Sequence, residues 1–153
     1  MHGNGNDYLF HRPTEERDWN EVARRISDRH FGAGSDGLIL ALPSTKADLR
    51  MRMFNLDGSE AEMCGNGIRC LAKYAVEEGI VAPDAESVTI ETLAGVLTLK
   101  LFRTDGVVTA ARVDMGTPNF DPASLPADVE GPGPIIDLLV DVNLRAVLHL
   151  CRL

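Results

Sequence analysis

The stretch Phe54–Tyr74, with the sequence FNLDGSEAEMCGNGIRCLAKY, decides the fold because it passes from a polar turn into a helix within a few residues. Its segment Asp57-Gly58-Ser59 is typical of a turn. Beyond Asn66, apolar residues recur at the spacing of an α-helix: Ile68, Leu71, Ala72, Ala75 and Val76. The pattern therefore predicts that Cys64 lies where a helix begins.

The start of a helix would give Cys64 a particular chemistry. The first backbone N–H groups of a helix have no intrahelical partner and carry a partial positive charge, so they bind carboxylates and stabilise a thiolate. A thiolate beside a bound carboxylate is suited to removing the α-proton of an amino acid. Free cysteines are also often simply buried, and the residues alone leave both interpretations open. Gly65 and Gly67, which weaken a helix but leave its backbone accessible, favour the reactive cysteine.

Three motifs, in order, resemble those of the diaminopimelate epimerase family, whose members epimerise an amino acid without a cofactor. The segment FNLDGSEAEMCGNGIRCLAKY resembles the family's signature around a catalytic cysteine. MHGNGNDY at residues 1–8 resembles the family's opening MHGLGNDF, and RHFGAGSDGLI at residues 29–39 resembles its second glycine-rich loop. The resemblance covers residues 1–118 clearly and the remainder weakly.

The resemblance implies an α/β (α+β) fold of two similar domains, each a curved, mostly antiparallel sheet wrapped around a central buried helix. We expect residues 1–116 to form the N-terminal epimerase-like domain. Residues 117–153 should form a linker and the incomplete start of the second domain, because Gly116–Gly133 is rich in proline and glycine and Ile135–Leu153 holds one or two more strands.

The resemblance also implies roles for individual residues. Cys64 would be the catalytic thiolate base, and the backbone N–H groups of Gly65 and Asn66 would hold the substrate α-carboxylate. Asn6 and Asn55 would hydrogen-bond the substrate. The implied reaction converts LL-2,6-diaminopimelate to the meso form, a step of lysine and peptidoglycan precursor biosynthesis, with no cofactor, neither pyridoxal phosphate nor a metal.

Inversion at a carbon atom requires a base on one face and an acid on the other. The family uses two cysteines, one from each domain, and this sequence ends before the second cysteine motif. Cys151, in LHLCRL, lacks a glycine-rich flank and is expected to be a core strand cysteine. We therefore expect the chain to be inactive without its second half. It would be a truncated product, a remnant that keeps only ligand affinity, or one half of a split enzyme. The expected protein partner is a complementing C-terminal half or a second copy of the chain in a homodimer. The alternatives are a non-catalytic half-domain that binds an amino acid or a partner chain, and a related proline racemase-type epimerase.

Composition narrows the class of protein. The chain has 153 residues and a formal net charge of −8, which argues against nucleic acid as a partner. No apolar run approaches the roughly 20 residues that span a bilayer. We therefore expect a cytoplasmic protein that does not bind a membrane. Three cysteines argue against a disulfide scaffold, and Cys70 is expected to pack in the core.

The remaining elements follow from local patterns. Met1–Tyr8 is predicted to be a loop, Thr14–Arg29 a helix capped by Asp18 or Thr14, and the central helix is predicted to end near Glu78 with Gly79 as its cap. Gly32–Gly37 matches G-x-G-x-x-G, but it follows a helix and precedes a strand, the reverse of a dinucleotide site. We expect it to be a tight loop whose backbone lines a small ligand site. Strands are predicted at 38–42, at 49–53 and within 87–115.

Overall fold

The structure is a computed structural model and describes residues 1–117. The helices are α1 (Trp19–Ser27) and α2 (Gly65–Glu77); the strands are β1 (His2–Gly3), β2 (Asn6–His11), β3 (Gly37–Leu42), β4 (Leu49–Asn55), β5 (Glu60–Ala61), β6 (Ser87–Thr92), β7 (Gly95–Thr104) and β8 (Val107–Val113). The predictions for the linker, for strands after Ile135 and for Cys151 concern residues outside the described part of the chain.

The strands form one mixed sheet in the order β1-β2-β3-β4-β6-β7-β8, with β5 paired to β4 at the side. Only β2 with β3 and β4 with β6 run parallel within the described residues. All other described pairs are antiparallel. The predicted mostly antiparallel sheet is therefore confirmed, and the predicted strands at 38–42, 49–53 and within 87–115 lie where the patterns placed them.

Helix α2 is the centre of the core. Ile68, Leu71 and Ala75 are 0% exposed, and no residue of the helix before Glu77 is exposed. Alternate residues of the strands pack against it: Tyr8, Ile39, Met51, Met53, Val88, Ile90, Leu99 and Leu101. Each fully buried Leu or Ile side chain contributes about 1.5–3 kcal/mol, so the contact between α2 and the sheet stabilises the fold. The predicted central buried helix is confirmed.

Helix α1 packs on the opposite face of the sheet. Trp19 and Ala23 contact Leu38, Leu40 and Phe54, which alternate along β3 and β4 with the residues that face α2. The predicted span Thr14–Arg29 is too long, because the Asp18 side chain accepts the N–H of Glu21 and starts the helix at Trp19. At the other end, Asp28 Oδ1 accepts the N–H groups of His30 and Phe31, which turns the chain out of the helix. Within residues 1–117, no helix is long and apolar enough to cross a membrane.

The segment Met1–Tyr8 is not a loop, and that prediction is wrong. It forms a hairpin in which β1 pairs with the start of β2 through the register pairs His2↔Asp7 and Gly3↔Asn6. Asn4 and Gly5 make the turn with φ of 56° and 86°, the left-handed values that tight hairpin turns require. The Asn-Gly density that predicted a loop therefore marks the turn alone, and Asn6 lies on a strand.

The glycine-rich loop Gly32–Gly37 closes the end of α1. The N–H groups of Ala33 and Gly34 both donate to the carbonyl of Ile26, and that of Ser35 donates to Ser27. A Cβ at Gly32 would lie 2.4 Å from the Arg25 carbonyl oxygen, so only glycine fits there. These N–H groups are used inside the protein and do not face a ligand. Gly37, the last residue of the loop, pairs with both Tyr8 and Asn55 and adjoins the site described below.

Candidate active site

Cys64 is the residue that caps the start of α2. Its backbone is extended, with φ of −135° and ψ of 120°, and its Sγ accepts the N–H of Gly67 at 3.4 Å. Its carbonyl oxygen accepts the N–H of Ile68 at 2.9 Å, the first bond of the helix. A Cβ at residue 67 would lie 2.6 Å from Ile39 Cδ1, so a larger residue there would require the Ile39 side chain to move. The predicted helix start is confirmed, with the sulfur itself in the capping position.

Two further donors from β2 point at the same sulfur. The Tyr8 hydroxyl donates to Cys64 Sγ at 3.4 Å, and the Asn6 side-chain amide lies 3.7 Å from it. The Asn6 amide also lies 3.3 Å from the Tyr8 hydroxyl oxygen. Together with Gly67, three uncharged donors converge on a half-buried sulfur. A thiolate accepts several hydrogen bonds, so this arrangement suits the ionised form of the side chain.

Tyr8 is held in its neutral form. Burial and, to a smaller extent, the hydrogen bond to Cys64 raise the pKa of Tyr8 to about 12. The side chain is 6% exposed. The phenol therefore keeps its proton throughout the physiological pH range and acts only as a donor to the sulfur.

Asn55 lies in the same row of the sheet as Tyr8. Gly37 of β3 stands between them, paired with Tyr8 of β2 on one side and with Asn55 of β4 on the other. Since neighbouring strands are about 4.8 Å apart, the Asn55 backbone lies about 10 Å from that of Tyr8, and its side chain is on the face that α2 covers. The Asn55 amide donates to Ser59 Oγ at 3.0 Å; no hydrogen bond joins it to Cys64 in the described part of the chain.

Gly65 and Asn66 present free backbone donors at the mouth of α2. Their N–H groups have no hydrogen-bond partner among residues 1–117. The Asn66 side chain is occupied, because its Oδ1 accepts from Arg69 at 2.5 Å. The first turn of a helix carries a partial positive charge, so this end of α2 can receive an anion beside the Cys64 sulfur.

An exposed ion-pair cluster holds β2 in place. Arg29 contacts Asp7 Oδ1 at 2.7 Å and Asp36 Oδ1 at 3.0 Å. Asp36 Oδ2 accepts the backbone N–H of Asp7 at 2.9 Å. The Arg29 hydrogen bond lowers the pKa of Asp7 below its ordinary value of 3.8. Because Asp7 lies between the two donors to the sulfur, the cluster fixes the strand that carries both.

Cys70 lies in the core, whereas Cys64 is half-buried at the start of α2. Cys70 is 8% exposed, and burial raises the pKa of its thiol. The prediction that it packs in the core is confirmed. Cys70 lines a cavity of about 490 Å³ together with His2, Arg69, Lys73 and other residues, and Cys64 does not line this cavity. Within residues 1–117, His, Cys, Asp and Glu side chains form no group of three that could hold a metal.

The sequence profile of the diaminopimelate epimerase family matches residues 1–120. The chain belongs to the diaminopimelate epimerase family. The resemblance that its motifs indicated is thus confirmed. A diaminopimelate epimerase of Desulfovibrio desulfuricans is 53% identical over 135 residues, which are 87% of this chain and 46% of that protein. One of Desulfitobacterium hafniense is 48% identical over 148 residues, which are 94% of this chain and 51% of that protein.

The chain therefore spans about half the length of the curated diaminopimelate epimerases that it matches. Among solved structures, a probable proline racemase from Agrobacterium radiobacter has a TM-score of 0.59 and 21% identity, covering 73% of this chain and 39% of that one. A hydroxyproline epimerase from Agrobacterium vitis has a TM-score of 0.57 and 19% identity over the same shares. Both have the same fold, and at these identities the likeness carries no more than the fold.

Two parts of this site were not predicted from the sequence. The first is the Tyr8 hydroxyl; its signal was the tyrosine of MHGNGNDY, where the quoted family opening MHGLGNDF ends in phenylalanine. The second is the cluster of Asp7, Arg29 and Asp36, which belongs to two separate motifs and is joined only in three dimensions.

Proposed function

We propose that this chain carries one half of the active site of a cofactor-independent epimerase that converts LL-2,6-diaminopimelate to the meso form. The observation that carries the proposal is the Cys64 sulfur at the mouth of α2, with three donors around it. The curated relatives, which are 53% and 48% identical to this chain over the aligned residues, carry the name diaminopimelate epimerase. That favours this substrate over the proline-type substrates of the structural neighbours.

In the proposed reaction, the substrate α-carboxylate binds the free N–H groups of Gly65 and Asn66. The Cys64 thiolate then takes the α-proton and becomes a thiol, while the C–H electron pair stays on the carbon and spreads into the carboxylate. The positive end of α2 stabilises the negative charge that develops there. Asn6 and Asn55, on the same face of the sheet, hydrogen-bond the rest of the substrate. The base is a side chain of the protein, so this step needs no cofactor.

Epimerisation is complete only when a proton arrives on the opposite face of the carbon. Among the described residues the second cysteine, Cys70, is buried and has a raised thiol pKa, so it is not suited to that role. We propose that a complementing C-terminal half supplies the second acid. The lone chain would then exchange the α-proton with solvent on one face without inverting the centre.

The test is deuterium incorporation from D₂O at the α-carbon of LL-diaminopimelate, measured with the chain alone and with the C-terminal half of the Desulfovibrio relative. Complementation should give both incorporation and inversion. Cys64→Ala should reduce incorporation at least 100-fold, in line with the 10²–10⁴-fold contribution of a general base. Cys70→Ala, which removes the buried thiol, should keep most of it. Activity that survives Cys64→Ala would refute the proposal; a folded but inert complemented protein would establish a non-catalytic half-domain.

A further inference from the structure

The Tyr8 hydroxyl is the part of the site that the motif resemblance does not account for. The quoted family opening MHGLGNDF has phenylalanine at this place, whereas this chain has tyrosine. A phenylalanine ring would fill the same space in the core without a hydroxyl. The oxygen therefore adds one polar group to an otherwise apolar position, and that oxygen lies 3.4 Å from Cys64 Sγ.

The ring of Tyr8 is fixed between the sheet and the helix. A Cβ at Gly37 would lie 3.1 Å from Tyr8 Cε1, and a Cβ at Gly67 would lie 3.4 Å from Tyr8 Cε2. The two glycines thus leave room for the two edges of the ring, one from β3 and one from α2. Because the ring cannot turn away, its hydroxyl stays directed at the sulfur.

The hydroxyl is also the middle of a chain of hydrogen bonds. The Asn6 amide donates to the Tyr8 oxygen at 3.3 Å, and the Tyr8 hydroxyl donates to Cys64 Sγ at 3.4 Å. A hydroxyl that accepts a bond becomes a stronger donor, because consecutive hydrogen bonds polarise one another. The arrangement strengthens the bond to the sulfur most when the sulfur is negatively charged.

We propose that Tyr8 is a positioning residue, whose hydroxyl holds the Cys64 sulfur in place and stabilises its thiolate. The proposal deepens the function proposed above and rests on Cys64 being the reactive base. It differs from a packing role, since a packing role would be fulfilled equally by phenylalanine.

The test compares the pH dependence of Cys64 alkylation by iodoacetamide in the full chain, followed by peptide mass spectrometry, for Tyr8→Phe and for Tyr74→Phe. Tyr74 is the matched control: it stacks on Phe10 at 5.5 Å between ring centroids and makes no hydrogen bond to Cys64. Tyr8→Phe should move the midpoint of the rate profile upward by about 1 pH unit, a tenfold change in the thiolate fraction that corresponds to about 1.4 kcal/mol. Tyr74→Phe should leave the midpoint in place.

A second measurement strengthens the donor instead of removing it. The chain has 2 tyrosines, so fluorotyrosine incorporated into the Tyr74→Phe variant labels Tyr8 alone. Fluorination makes the phenol a better donor and should move the midpoint downward. Coinciding profiles for wild type, Tyr8→Phe and fluorotyrosine would overturn the positioning role. If wild-type Cys64 reacts no faster than Cys70, the proposed function itself fails, so the two failures are distinguishable.

Discussion

Replacing Gly37 with alanine should destabilise the sheet beneath Cys64 by about 1.5–4.5 kcal/mol. The added Cβ would lie 2.2 Å from the Phe54 carbonyl oxygen, roughly 1 Å closer than such atoms normally approach. A backbone oxygen cannot rotate away as a side chain does, so β3 and β4 must separate at the pair Gly37↔Asn55. Overpacking costs about 1–3 kcal/mol, and a weakened ladder hydrogen bond adds about 0.5–1.5 kcal/mol.

The assay is thermal and urea unfolding of Gly37→Ala beside Gly106→Ala. Gly106 has φ of +80° and no atom within 4 Å of an added Cβ among the described residues. Its substitution therefore costs only backbone strain, about 1 kcal/mol. At about 4 °C per kcal/mol, the melting temperature should fall by about 6–18 °C for Gly37→Ala and about 4 °C for Gly106→Ala. Equal losses in the two variants would refute the steric reasoning.

The same substitution should also disturb the site. The Cβ at residue 37 would lie 3.1 Å from Tyr8 Cε1, so the ring must move and its hydroxyl with it. We expect the Cys64 alkylation profile of Gly37→Ala to move toward that of Tyr8→Phe, even at temperatures where the variant is fully folded. Gly106→Ala, in the turn between β7 and β8, should leave the profile unchanged.

Two further substitutions test the support of the site and its core. Arg29 holds the Asp7 pKa below 3.8 in the folded chain, so the pair stabilises the fold above the unfolded-state pKa and this contribution is lost as pH falls through the folded-state value. Asp7→Asn should therefore lower the urea midpoint at neutral pH but not at about pH 2, and the exposed Asp84→Asn should change neither. Leu71 in α2 is 0% exposed. Leu71→Ala should lower the free energy of unfolding by about 2–5 kcal/mol. Exposed Glu77→Ala on the same helix should cost less than about 0.5 kcal/mol, and similar urea midpoints for the two would contradict the placement of the core.

Helices and strands whose hydrophobic pattern extends over several residues were predictable from the sequence. The bounds of α2 followed from apolar residues on all its faces, with Cys64 at its start and Gly79 at its end, where φ is +63°. Strand β4 followed from Leu49, Met51 and Met53, which alternate with two arginines. In each case the apolar residues follow one pattern over several residues, so only one orientation of the element buries all of them in the core.

Very short strands, exact helix ends and contacts between distant segments were not predictable from the sequence. Strand β1 has two residues, too few to show alternation, so MHGNGNDY gave only its turn signal. The start of α1 depended on a local competition: once Asp18 accepts the N–H of Glu21, the residues before it cannot continue the helix. The contact of Tyr8 with Cys64 joins residues far apart in sequence, and nothing in either segment alone encodes it.

The uncharged character of the three donors fits a group that must both take and return a proton. A lysine or arginine beside the sulfur would stabilise the thiolate about twice as strongly as a neutral donor, but a thiolate stabilised in that way is a weaker base. The charged groups near this strand are directed elsewhere, with Arg29 bound to Asp7 and Asp36, and Arg69 bound to Asn66. Tyr8, whose pKa burial raises to about 12, donates a hydrogen bond without giving up its proton. Hydrogen bonds of this kind hold the sulfur in place while leaving it basic enough to remove an α-proton.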